Sequence, residues 1–147
     1  MATTDKYDRQ TRLWGANGQR ALAESKIIML GVTSAGTETL KNLVLPGAGS
    51  FLIVDNAKVT QRDTGNDFFV TQEDIGQSKA KVVSEMMKEL NPDVHEGSHL
   101  DMSIEEFMEK DIIRSAKLVI ACDVGNDIAC KLSAICYPAN IPIVIVR

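Results

Sequence analysis

A short aliphatic run that stops at glycine constrains this chain more than any other feature. Residues 26–31 read KIIMLG, and a second glycine, Gly36, stands five positions further on. A run this short, with no polar alternation, is a strand buried on both faces, as in the interior of a parallel sheet. Helical spacing follows Gly36, with Leu40, Leu43 and Val44 on one face until Pro46-Gly47 stops the helix. Residues 50–55 (SFLIVD) form a second buried strand, and residues 56–74 are polar and show no periodicity. A helix is predicted over 77–90, with Val82, Val83, Met86, Met87 and Leu90 on its apolar stripe and Asn91-Pro92 ending it. Residues 94–100 make a weak edge strand. Ser103 and Glu106 have the spacing of a capping box that opens a short helix through Met108. A strong strand over 117–121, a helix over 126–137 and a last strand over 141–146 complete the pattern.

Strands alternating with helices specify a parallel sheet joined by right-handed crossovers. The expected architecture is α/β: a Rossmann-like, doubly wound, mostly parallel sheet of order 3-2-1-4-5 in three αβα layers. Ligands in such a sheet bind at the carboxyl ends beside the first strand. Residues 1–25 are expected to form an N-terminal helical arm and 26–147 the sheet domain, which matches one domain's worth of core. The chain closes on a strand of buried type with no polar tail, so a fragment of a longer chain is expected.

The net charge of −4 offers no basic face for nucleic acid. No apolar run approaches the ~20 residues that cross a bilayer, and the polar start MATTDKYDRQ lacks the apolar segment of a secretory signal. Cys122, Cys130 and Cys136 form no CxxC pair and read as buried reduced thiols of an intracellular protein, cytoplasmic or nuclear. His95 and His99 would make a metal pair only on a helix, and their segment reads as strand and turn, so no metal site is expected.

The glycine loop carries the chemistry. A phosphate loop of the form G-x-G-x-x-G uses its first glycine for the turn, its second for close approach of phosphate and its third for helix–strand packing. Here the segment is Gly31-Val32-Thr33-Ser34-Ala35-Gly36, so Thr33 replaces the middle glycine. A β-branched side chain there puts atoms where a phosphate oxygen would lie. The helix N-terminus still offers N–H groups and a dipole. Asp55 ends the second strand where an acidic residue usually holds a ribose hydroxyl. The plainer alternative is that Gly31 and Gly36 serve only the turn and the packing.

Three segments carry a resemblance. Tyr7-Asp8-Arg9-Gln10 with Arg12-Leu13-Trp14-Gly15 resembles the opening of the activating enzymes for ubiquitin-like modifiers. Gly36-Thr37-Glu38 with Leu40-Lys41-Asn42-Leu43-Val44-Leu45-Pro46-Gly47 is similar to the first helix of that family. Asp63-Thr64-Gly65-Asn66-Asp67-Phe68-Phe69 resembles a loop of its neddylation branch, in the regulatory subunits. The resemblance implies a heterodimer of two Rossmann domains, one competent and one degenerate. The competent half adenylates the modifier with ATP and magnesium, and a cysteine elsewhere in the complex then takes the modifier as a thioester.

By the resemblance this chain is the degenerate half, binding no cofactor tightly and inactive alone. Asn66-Asp67 stand where the competent half carries arginine and glutamine, and Ile128 stands where another arginine is expected. Lys79 matches a phosphate-binding lysine, and Asp123 matches a magnesium-side aspartate. The degenerate nucleotide site would thus comprise Gly31, Thr33, Gly36, Asp55, Lys79 and Asp123. Arg9 would act in trans, reaching the terminal phosphate in the partner's ATP site, a role suited to a planar, permanently charged guanidinium. Its alternative is a surface pair with Asp8 or Asp5. Leu45, Pro46, Phe68 and Phe69 are the candidate contact surface for the partner, although Phe68 and Phe69 would equally serve this domain's own core. Trp14 is expected to anchor the arm by packing. Two other functions stay open: the regulatory subunit of a sumoylation-activating enzyme, and an NAD-dependent oxidoreductase domain, which Asp55 would favour.

Overall fold

The computed structural model describes residues 6–147. Five strands form one sheet of order β3-β2-β1-β4-β5, and every neighbouring pair is parallel. The strands are β1 (Lys26–Leu30), β2 (Ser50–Val54), β3 (Glu96–Leu100), β4 (Leu118–Cys122) and β5 (Ile143–Val146). The helices are α1 (Asp8–Ala23), α2 (Ser34–Val44), α3 (Lys79–Leu90), α4 (Ile104–Met108) and α5 (Asn126–Cys136). This is the doubly wound Rossmann-like fold and strand order that the alternating pattern predicts. Among the described residues no helix is long and apolar enough to cross a membrane.

The aliphatic runs of β1, β2 and β4 form strands because both of their faces are covered, whereas the edge strand β5 leaves Val144 and Ile145 exposed. Ile27 and Met29 point into one core with Phe51, Ile53, Leu40, Val44, Val83 and Met87 from β2, α2 and α3. Ile28 and Leu30 point into the other with Leu52, Val54, Phe107, Leu132 and Cys136 from β2, α4 and α5. Each such side chain, fully buried, contributes about 1.5–3 kcal/mol. The two cores fix the register, with Ile28 opposite Leu52 on one side and Val119 on the other, because a one-residue slip would exchange the two faces.

The chain reaches β1 through α1, none of whose residues is buried. Gly15 interrupts α1 at φ 78° and ψ 165°, a region open essentially to glycine alone. Each half of the helix is tied to the sheet domain separately. In front of the first half, the Tyr7 hydroxyl accepts from Asn91 Nδ2 at 3.0 Å and donates to Asp93 Oδ2 at 2.7 Å. Lys6 donates to Asn91 Oδ1 at 2.5 Å and pairs with Asp93 at 3.1 Å. Asn91 is fully buried and also donates to the Val44 carbonyl at the end of α2, at 2.7 Å. In the second half Gln19 accepts from the Trp14 indole at 3.0 Å and donates to the Pro46 carbonyl at 2.8 Å.

Several boundaries differ from the predicted ones. α2 begins at Ser34 rather than beyond Gly36, because the Thr33 hydroxyl caps it by accepting from Gly36 N. α3 begins at Lys79, where Ser78 accepts from the Lys81 N–H. β4 takes in Cys122, and β5 starts at Ile143 because Asn140 (φ 55°) turns the chain just before it. The polar stretch holds two 3-10 turns, Asp63–Gly65 and Gln72–Asp74, and buries Val59, Phe69 and Val70 between and around them. Cys122 and Cys136 are buried, but Cys130 is exposed on α5, which corrects the expectation of three interior thiols. His99 lies in β3 and His95 just before it, so extended backbone spaces them by ~13 Å.

Candidate functional site

At the carboxyl ends of β1 and β4 the sheet opens into a polar cleft of about 410 Å³. Val32, Thr33 and Ser34 line it from the loop after β1, Asp123 from the end of β4, and Lys79 from the start of α3. The loop after β2 supplies Thr60, Arg62, Asp63 and Asn66. The fold therefore brings Thr33, Lys79 and Asp123 together, at the position where sheets of this winding take ligands.

Gly31 and Gly36 have local reasons to be glycine. Gly31 turns the chain at φ 81°, and a Cβ on it would lie 2.8 Å from the Cys122 carbonyl oxygen. A Cβ on Gly36 would lie 2.3 Å from Cys122 Sγ, so the missing side chain is what lets α2 rest on β4. Burial drives the Cys122 thiol up to about 11, while the hydrogen bond to Thr33 acts the other way. That thiol is a packing group between loop and helix.

Thr33 does more than add bulk. Its Oγ1 accepts from Gly36 N at 3.1 Å, and its carbonyl accepts from Thr37 N at 2.8 Å. The second is the ordinary first bond of the helix, so one of the N–H groups that a helix start holds out to an anion, that of Gly36, is satisfied by the loop itself. Those of Ser34 and Ala35 meet no acceptor among the described residues.

Asp55 does not line the cleft. Its Oδ2 accepts from Val32 N and its Oδ1 from Ala57 N, both at 2.7 Å, so it braces the two loops that follow β1 and β2. Asp123 is exposed and held at φ 51°, with its N–H on the Val146 carbonyl at 2.8 Å. A non-glycine residue in that region carries local strain.

Lys79 is engaged by a carboxylate of this chain. Its Nζ lies 2.7 Å from Asp63 Oδ1, and both side chains are largely buried, at 17% and 19% exposure. Asp63 Oδ2 accepts from the Thr60 N–H at 2.7 Å and from the Thr60 hydroxyl at 2.6 Å. Desolvation pushes the Asp63 carboxyl up, but the bonds from Lys79 and Thr60 outweigh it and hold the group below its ordinary range. Sequence reasoning did not single out Asp63 as a site residue. The available signal was the Thr60-x-x-Asp63 spacing, which recurs as Thr71-x-x-Asp74 with the same reciprocal bonding.

The loop after β2 is fastened from inside. Asp67 is nearly buried; it accepts from the Thr37 hydroxyl at 3.3 Å and from Phe69 N at 3.0 Å. Phe69 is 1% exposed and packs in the core with Val59 and Val70, which corrects its assignment to a partner surface. The two phenyl rings meet edge to face, and Phe68 stays outside at 75% exposure. Leu45 is exposed and Pro46 half-buried. Trp14, Gly18, Leu22, Asn42, Leu43 and Pro46 line an apolar groove between α1 and α2.

Arg9 lies on the exposed surface of α1, apart from the cleft lining, and its side chain has no partner among the described residues. Asp8, one of its two candidate partners, pairs with Arg12 at 2.9 Å. Asp5, the other, lies outside the described residues.

The chain has relatives in both sequence and fold. A NEDD8-activating enzyme E1 regulatory subunit from Gallus gallus is 42% identical over 97% of this chain. The corresponding Arabidopsis thaliana protein, AXR1, is 43% identical over 97%. The chain spans only about a quarter of these relatives, 27% and 26% of their lengths. In fold it matches the E. coli tRNA N6-threonylcarbamoyladenosine dehydratase TcdA at a TM-score of 0.82 and 20% identity, over 95% of this chain and 58% of that one. E. coli MccB matches equally well in fold, at 0.82 and 18% identity, over 98% of this chain and 42% of that one. The profile of the ThiF family covers residues 7–146, and with the sheet order and the cleft already described, the chain belongs to the ThiF family.

Proposed function

We propose that this chain is the degenerate adenylation half of a NEDD8-activating enzyme regulatory subunit, working as a heterodimer with a catalytic adenylation subunit inside the cell. The reading is carried by 42–43% identity to such subunits over 97% of the chain. The cleft supports it from the chemical side. The Thr33 hydroxyl takes up a loop N–H, and Lys79 is neutralised by Asp63. Asp55 is committed to backbone. These residues do not fit a nucleoside triphosphate with magnesium, so no adenylation step is assigned to this chain. The same commitment of Asp55 weighs against a nicotinamide dinucleotide.

The chain's contribution is instead positional. Arg9 has no partner among the described residues, and Tyr7 is clamped two residues before it. An unpaired guanidinium on an anchored arm meets the charge that develops on the partner's transferring phosphate without first breaking an ion pair of its own. Leu45 and Phe68, with the half-buried Pro46, supply apolar surface toward that partner. The ubiquitin-like modifier is the substrate of the assembly.

The test is ATP–pyrophosphate exchange by the reconstituted heterodimer. The regulatory subunit alone should show none. Arg9→Ala should slow exchange by about a hundredfold, the scale of losing one charge-stabilising donor, with the two subunits still copurifying. Full exchange in that variant would overturn the role of Arg9.

A further inference from the structure

We propose that Asp63 acts as a resident anion in the cleft, occupying Lys79 in place of a phosphate, and that removing its charge opens a site for a phosphate-class anion. The inference rests on the reading of the cleft as a relic adenylation site only for its choice of ligand. The geometry stands independently.

Three observations carry it. First, the Asp63 carboxylate is held as a bound oxyanion would be: Oδ1 is 2.7 Å from Lys79 Nζ, while Oδ2 takes two bonds from Thr60. Second, the charged groups lining the cleft cancel, Arg62 and Lys79 against Asp63 and Asp123. With Asp63 neutral, the same walls carry one net positive charge. Third, donors are in surplus. The Arg62 side chain has no partner, and the Ser34 and Ala35 N–H groups have no acceptor, among the described residues. About 410 Å³ is room for an anion of pyrophosphate size. Thr33 alone does not close such a site, because it blocks one approach to the backbone and leaves Lys79, Arg62 and Ser34 facing the cavity. The carboxylate closes it by supplying, from within the chain, the charge that a ligand would bring.

The experiment is calorimetric titration of the full chain with inorganic pyrophosphate, at neutral pH and low salt. Wild type and Thr33→Gly should show no saturable binding at millimolar concentration. Asp63→Asn keeps the side-chain shape and an acceptor for Thr60, and should bind at least about tenfold more tightly, because an ion-pair partner of Lys79 is gone. Lys79→Ala added to Asp63→Asn should abolish the gain, and high salt should weaken it. Should Asp63→Asn fail to fold, Asp63→Ser carries the same test.

No gain in a folded Asp63 variant would overturn the proposal. So would a gain that survives loss of Lys79, or one produced equally by Thr33→Gly. Exchange by the heterodimer separates this proposal from the functional one. If Arg9→Ala leaves exchange intact while Asp63→Asn gains pyrophosphate, the trans role fails and the resident anion stands. If Arg9→Ala slows exchange while Asp63→Asn gains nothing, the trans role stands and the resident anion fails.

Discussion

Gly36 shows how closely single residues are fitted here. A glycine inside a helix costs about 1 kcal/mol relative to alanine, yet alanine at this position would drive its Cβ to 2.3 Å from Cys122 Sγ. Gly36→Ala should therefore destabilise the protein by about 1–3 kcal/mol, the cost of overpacking. Cys122→Ala in the same chain should recover part of that loss by removing the sulfur. Urea unfolding of the two variants checks both signs. Thr33 is legible as a cleft residue because the glycine loop fixes its place, whereas Lys79 and Asp123 are legible there only through the family resemblance. Asp55 is legible at its strand end, but which atoms its carboxylate meets depends on how the next loop folds back. Phe69 reads equally as core or surface, because phenylalanine on a polar stretch gives no periodicity from which to infer its face.

Among elements, Asn91 joins three that are distant in sequence. It receives Lys6, donates to Tyr7 and caps the last turn of α2 through the Val44 carbonyl, all from a fully buried position. Asn91→Ala should cost about 1–3 kcal/mol for the buried groups left unpaired. It should also loosen the arm, so that amide exchange rises in residues 8–14 while β1 and β4 stay protected. Equal protection in both segments would show that the arm is held elsewhere. In the sequence Asn91 reads only as a helix stop, since Asn-Pro ends helices for local reasons and nothing local reports a bond to Val44, 47 residues away. The strands and longer helices are legible because periodicity measures burial directly. The two 3-10 turns of the β2–α3 loop are too short to show a period, and side chains such as Asp67 on Thr37 hold that loop in place.

For the molecule as a whole, the fold follows from its aliphatic runs, and Asp63 and Cys122 each contribute to how its stability varies with pH. The Asp63 carboxyl is lowered from 3.8, so the stability it contributes is present above about 4 and lost as pH falls through its folded value. The Cys122 thiol is raised from 9.0 to about 11, so its contribution is full below pH 9 and lost as pH climbs toward 11. Urea midpoints measured across pH should be flat between about 5 and 8 and fall on either side. In Cys122→Ala the alkaline fall should shrink. An unchanged alkaline fall would assign it to other groups. One further consequence lies in Gly15, where an added Cβ would touch nothing within 4 Å but the backbone sits at φ 78°. The demand for glycine at the bend is thus a matter of backbone conformation and not of space. An L-residue there would tend to straighten α1 into one rod and displace the segment that carries Arg9, whereas a D-alanine, with mirror-image preferences, would leave that segment where it is.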